Sequence, residues 1–196
     1  MNASRSGQAL SVAVFRFGPG AATWVCPATG RWKFYVRGPG GWALNTVPSG
    51  GGSGGLAVVT RHVLAGEAVV LAIGRGALNT ATDTTATFAD GRVVRGGKGG
   101  QPAGGLVGQG GVAEGGDLNL AGSAGGQPGL GADGGAASPS VNGGAGAPGL
   151  DGLKGGDGPP TNPADTVAGV GAGGSLNNNN PCQAGGNGEI IIVRLD

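Results

Sequence analysis

Few residues in this 196-residue sequence are of types that carry out chemistry, and their spacing matches no common catalytic arrangement. His62 is the only histidine; it sits in an alternating run, and without a nucleophile motif it builds no Ser–His–Asp relay. Gly74-Arg75-Gly76 and the poly-glycine runs lack the Gly-Lys-Ser/Thr ending and following helix of a phosphate loop, and Lys98 and Lys154 stand isolated. Asp151, Asp157 and Asp165 do not have the spacing of a calcium loop. Cys26 and Cys182 have no metal-ligand neighbours, which argues against zinc. Two readings of the cysteines stay open. A disulfide would close a very long loop and contribute about 4–5 kcal/mol in the chain-entropy model; otherwise both are small unpaired apolar residues. These residues predict no enzyme, no cofactor and no metal. The run Asn177-Asn178-Asn179-Asn180-Pro181 is either a solvated turn or a row of amides facing a glycan.

The elements around these residues divide sharply by composition. All four Phe, all three Trp and the single Tyr precede Gly96. Leu10, Val12 and Val14 alternate with Phe15 and Phe17, and Thr23 to Cys26 forms a short strand stopped by Pro27. Arg31 to Arg37 sets Trp32, Phe34 and Val36 on one face, and Arg31, Lys33, Tyr35 and Arg37 on the other. Leu56–Leu64 and Ala68–Ile73 flank Ala65-Gly66-Glu67, which predicts a hairpin; Thr84–Phe88 and Val93-Val94 flank Asp90-Gly91, a stronger hairpin signal. About seven short strands without helical periodicity predict a mainly β chain with essentially no α-helix, folded as a small antiparallel β-sandwich. At the other end Glu189 to Leu195 (EIIIVRL) is a strand apolar on both faces, expected to return to that sandwich.

Between them, Gly96 to Gly188 lacks any aromatic and is too poor in large apolar residues to form an oily core. Glycine often recurs at every third position there: 96, 99, 105, 108 and 111, then 143, 146, 149, 152, 155 and 158 without a gap. A period of three matches a polyproline-II-type helix, whose outward N–H and C=O groups need partners elsewhere. Turn-like interruptions at Pro102, Asp117–Ala121, Ala136–Asn142, Pro159–Ala168 and Ser175–Ala184 favour many short segments packed as a polyglycine-II bundle over a continuous collagen triplex. The expected organisation is therefore a sandwich of 1–95 plus 189–196 carrying an inserted bundle of 96–188.

Charge is sparse and balanced, with a net charge of +1, and the cations are scattered among strand residues, which predicts no nucleic-acid partner. No window approaches a membrane span, and the run after Arg5 alternates and lacks a cleavage site, so neither membrane insertion nor a signal peptide is expected.

Taken in order, these motifs resemble the glycine-rich domain of bacteriophage tail-fibre and receptor-binding proteins. That family opens on a "T-W-x-V-P-A-G" turn, matched by Thr23-Trp24-Val25-Cys26-Pro27-Ala28-Thr29-Gly30, then an alternating strand and a glycine cluster, matched by Arg31 to Arg37 and Gly38-Pro39-Gly40-Gly41. A "P-G-E/Q-x-V-x-V-x-V-G-x-G-G" hairpin is matched by Ala65 to Gly76, a "T-x-F" strand by Thr85 to Phe88, and the closing "G-x-G-x-(V/I)-(V/I)-(V/I)" by Gly186 to Ile192. The resemblance implies a place on the virion, neighbouring tail proteins, a homotrimer, and contact with a bacterial surface glycan or outer-membrane protein through loops. The receptor-contact residues it suggests are Trp42, Asn45, Asn119, Asn142, Asn162, Asn177, Asn178, Asn179 and Asn180. Adhesive relatives tend to carry aromatics in these loops. Here none does, and only Trp42 stands beside one, so a non-adhesive fibre segment or capsid decoration subunit is the alternative. An ice-binding protein with Gly-X-X repeats is a third reading, which the irregular repeats disfavour.

Overall fold

The computed structural model of the protein describes residues 13–42, 50–76, 81–103, 106–125, 170–173 and 184–196. Among them the chain forms β1 (Val14–Phe17), β2 (Gly20–Val25), β3 (Gly30–Arg37), β4 (Leu56–Val63), β5 (Ala68–Ile73), β6 (Thr84–Thr87), β7 (Val93–Gly96), β8 (Ala113–Glu114), β9 (Leu118–Leu120) and β10 (Glu189–Arg194), and no helix. One sheet runs β1-β10-β3-β4-β9 and the other β2-β5-β6-β7-β8, with every neighbouring pair antiparallel. The architecture is the expected mainly β, two-sheet sandwich.

The core between the sheets follows the period of two. Trp32, Phe34 and Val36 of β3 point inward with Val69 and Leu71 of β5, and all five are fully buried or nearly so. Aromatic rings fill the centre edge to face: Phe34 lies 4.9 Å from Phe88, and Trp24 lies 5.0 Å from Trp32 and 5.6 Å from Phe34. Phe15 and Phe17 of β1 pack against this cluster, while Val14 on the opposite face is exposed.

β10 lies in the interior of its sheet, between β1 and β3. Its Ile190 and Ile192 enter the core, and Ile191 joins Tyr35, Leu56 and Val58 in a second buried cluster on the outer face. Burial on both sides explains the unbroken Ile-Ile-Ile-Val run. Each buried isoleucine contributes about 1.5–3 kcal/mol, enough to hold both ends of the chain in one sheet.

The Asp90-Gly91 turn joins β6 to β7 as a hairpin, with Gly91 at φ 83°. The expected hairpin at Ala65-Gly66-Glu67 is corrected: β4 and β5 lie in different sheets. Both edges of β4 are taken by β3 and β9, and both edges of β5 by β2 and β6. The Gly66 N–H donates to the Cys26 carbonyl and the Cys26 N–H to the Glu67 carbonyl, each at 2.9 Å, so the turn carries the chain across the core instead of back along β4. Val63 and Val69 are then buried in the same core cluster, from opposite sheets.

Outside the sheets, glycine runs form a hydrogen-bonded bundle. The run 50–55 bonds to 38–41, 97–100, 108–111, 122–125 and Gly171, through the N–H or carbonyl of successive residues pointing in different directions. Along each pair of runs the bond recurs every third residue: Gly38 and Gly41 donate to Gly55 and Gly52, Gly52 and Gly55 to Gly100 and Gly97, and Gly122 and Gly125 to Gly111 and Gly108. That is the hydrogen-bond pattern of polyglycine-II packing. Close approach demands glycine here: a Cβ on Gly52 or Gly99 would come under 3.0 Å from the carbonyl oxygen of Gln109 or Gly52.

The division at residue 95 does not describe this arrangement. The runs 38–41 and 50–55 lie in the bundle, whereas β8 and β9, inside 96–188, extend the two sheets. Asp117–Ala121, expected as a turn-like interruption, contains strand β9, because Leu118 and Leu120 pair with Val58 and Leu56, and Leu120 packs against the outer-face apolar cluster. The uninterrupted triplets at 143–158 lie outside the described residues.

Candidate functional site

Where β3 and β7 leave the sheets, their continuations run side by side into the bundle. Gly38 lies against Gly97 and Gly41 against Gly100, and the Gly99 N–H donates to the Pro39 carbonyl at 2.8 Å. One step further this register sets Trp42 beside Gln101, and the indole Nε1–H donates to Gln101 Oε1. Trp42, Lys98 and Gln101, with Gly41, Ala81, Gly99 and Gly100, line a cleft of about 310 Å³. The volume is at the small end of the range for ligand sites.

The floor is backbone that cannot shift cheaply. The Gly41 N–H donates to Gly52 at 2.8 Å and the Gly100 N–H to Gln109 at 2.7 Å. Lys98 is fixed at its backbone, where its N–H donates to Asp83 Oδ1 at 2.8 Å. Asp83 Oδ2 meanwhile takes Arg95 Nη1 at 2.8 Å, and Arg95 Nη2 reaches Glu114 Oε1 at 2.9 Å. Hydrogen bonds to Asp83 and then Glu114 hold the Arg95 guanidinium above its ordinary pKa. Both carboxylates are thus committed to Arg95. Among the described residues the Lys98 ammonium has no ion pair.

Chemically the cleft offers an aromatic ring, one cation, one carboxamide and a wall of bare backbone. Because its polar edge is already bonded to Gln101, Trp42 presents apolar ring surface. Those groups suit recognition of a small polar ring; among the described lining residues Lys98 carries the one titratable side chain.

Of the residues singled out from the sequence, Trp42 is in this cleft. Asn119 is not: it sits on β9, pairs in register with Ala57, and its side-chain amide is engaged by the N–H and carbonyl of Gly116 at 3.0 and 3.2 Å. Asn45, Asn142, Asn162, Asn177, Asn178, Asn179 and Asn180 lie outside the described residues, as do Asp151, Asp157, Asp165 and Cys182. Cys26 is a free, buried thiol whose Sγ–H donates to the Ala28 carbonyl at 3.1 Å. His62 is exposed on β4.

Lys98 and Gln101 were not recognisable as site residues from the sequence. The usable signal was indirect: Gly97 to Gln101 stands as far beyond β7 as Gly38 to Trp42 stands beyond β3. No protein-family model matches the chain, and no curated protein matches it.

Proposed function

We propose that the protein is a virion structural protein, a bacteriophage tail-fibre or tail-tip component that contributes to attachment to the host cell. The observation that carries this reading is the glycine bundle: period-three main-chain hydrogen bonds tie runs from both halves of the chain into a rigid extension of the sandwich. A scaffold held by backbone bonds leaves its surface free to present contacts, as an exterior appendage requires, and the Trp42 cleft is one such contact. The ordered motifs from Thr23 to Ile192 support the same assignment. The reading includes assembly as a homotrimer with neighbouring tail proteins, and a bacterial surface glycan as the host partner.

Particles carrying a deletion of this protein, or of its Trp42 cleft residues, are expected to adsorb to the host more slowly. Unchanged adsorption, together with purified protein that binds no susceptible cell, would refute attachment. The second reading, a non-adhesive fibre segment or capsid decoration subunit, is favoured by the aromatic-free loop sequences. It requires stoichiometric protein in particles, native mass spectrometry giving the copy number, and host-range mutations that never map to this chain.

A further inference from the structure

We propose that the Trp42 cleft selects an acidic pyranose, a hexuronic acid unit of a surface polysaccharide, over neutral sugars. The inference rests on the attachment reading for its biological setting, but its chemistry comes from the lining alone. The apolar C–H face of a pyranose stacks on an indole ring, and Trp42 offers that ring with its polar edge tethered to Gln101. Among the described residues of the lining, Lys98 is the only ionisable one. The carboxylate that its backbone N–H bonds, Asp83, is held by Arg95 at 2.8 Å, so the ammonium has a charge to offer and no ion pair among the described residues to satisfy it. A neutral sugar would leave that cation unused; a carboxylate at C5 of the ring would meet it.

The remaining lining fits a flat ring. Gly41, Gly99 and Gly100 contribute no side chain, and their N–H groups are fixed by bonds to Gly52, Pro39 and Gln109. Such a wall lets a ring approach closely and needs little ordering on binding. The space, about 310 Å³, suits one or two sugar units of such a polysaccharide. A single cation also disfavours polyanions such as nucleic acid, which are gripped by many lysines and arginines at once.

The test titrates the full-length protein with tri-galacturonate and with its methyl ester, which keeps the shape and removes the charge. The readouts are the indole Nε1–H and glycine amide signals in nitrogen–proton correlation spectra. The acid is expected to shift the Trp42, Gly99 and Gly100 signals and to bind roughly tenfold more tightly than the ester, as one charge-assisted hydrogen bond provides. Lys98→Gln is expected to abolish that preference, and Trp42→Ala to weaken acid and ester alike. Arg31→Gln, which removes an equal charge from an exposed position on β3, is expected to keep it. Equal affinity for acid and ester, no binding of either, or a Lys98→Gln protein that still prefers the acid would each overturn the proposal. Cell binding is scored separately. Wild-type and Lys98→Gln proteins that decorate host cells equally would overturn the acidic-sugar inference while leaving attachment standing.

Discussion

The N–H of Gly52, just before β4, donates to the carbonyl of Gly100, just beyond β7, at 3.0 Å. This bond joins the aromatic, strand-forming part of the chain to the glycine-rich part. The neighbouring Gly99 N–H reaches Pro39 at 2.8 Å, so three separate runs are locked together within a few residues. Trp42 and Lys98 inherit their positions from this lock.

Gly52→Ala is expected to destabilise the protein by about 1–3 kcal/mol, since the added methyl meets a main-chain carbonyl that is itself hydrogen-bonded. Gly18→Ala has open space around the new Cβ and is expected to stay within about 0.5 kcal/mol of wild type. Urea unfolding of the two variants checks the contrast. Equal midpoints would show that close backbone approach does not hold the bundle.

Ile190→Ala empties a fully buried site on the interior strand β10 and is expected to cost about 2–5 kcal/mol. Val70→Ala, on the exposed face of β5, is expected to cost less than about 0.5 kcal/mol. Thermal denaturation monitored through tryptophan fluorescence separates them.

Arg37 is 2% exposed and paired with Glu189, which Arg16 also approaches at 3.8 Å. Burial pushes the Arg37 guanidinium pKa down, and Glu189 opposes that shift. Glu189→Gln removes the carboxylate paired with this buried cation and is expected to cost roughly 3 kcal/mol. Denaturant titration at neutral pH measures it, and a loss under about 0.5 kcal/mol would show that other contacts hold Arg37.

Asp90 accepts hydrogen bonds from Arg61 Nη2 at 2.6 Å and from the Arg92 N–H at 3.0 Å, and these hold its carboxyl below the usual carboxylate range, the Arg61 contact most strongly. A depressed folded-state pKa means stability that is present above the unfolded value of about 3.9 and is lost as pH falls through the folded value. Asp90→Asn keeps the turn acceptor for Arg92 and loses the charge. Melting temperatures of wild type and Asp90→Asn are expected to differ at neutral pH and to converge as pH drops below about 4. A gap that stays constant from neutral to acid would contradict the ionic role.

The sandwich was largely legible because side-chain alternation is local. Trp32, Phe34 and Val36 against Lys33 and Tyr35 announce two faces, and Ile190 to Val193 announces a strand buried on both. The destination of the turn at Ala65-Gly66-Glu67 was not legible. A short glycine turn serves a hairpin or a crossing between sheets equally well, and only the partners waiting at the edges of β4 and β5 decide. Leu118 and Leu120 were hidden in the same way, since three residues become a strand only when β4 offers an edge.

By itself the sequence determined that aromatics and β-branched runs would make two layered sheets, and that glycine at every third position would pack backbone on backbone. Tertiary structure decided which runs pack together. Glycines carry no side-chain code for choosing neighbours, so 38–41 and 50–55 join the bundle because β3 and β4 deliver them there. The cleft follows from the same fact. Trp42 meets Lys98 and Gln101 only because two strands, whose ends at Arg37 and Gly96 lie 59 residues apart in the chain, feed adjacent runs in register.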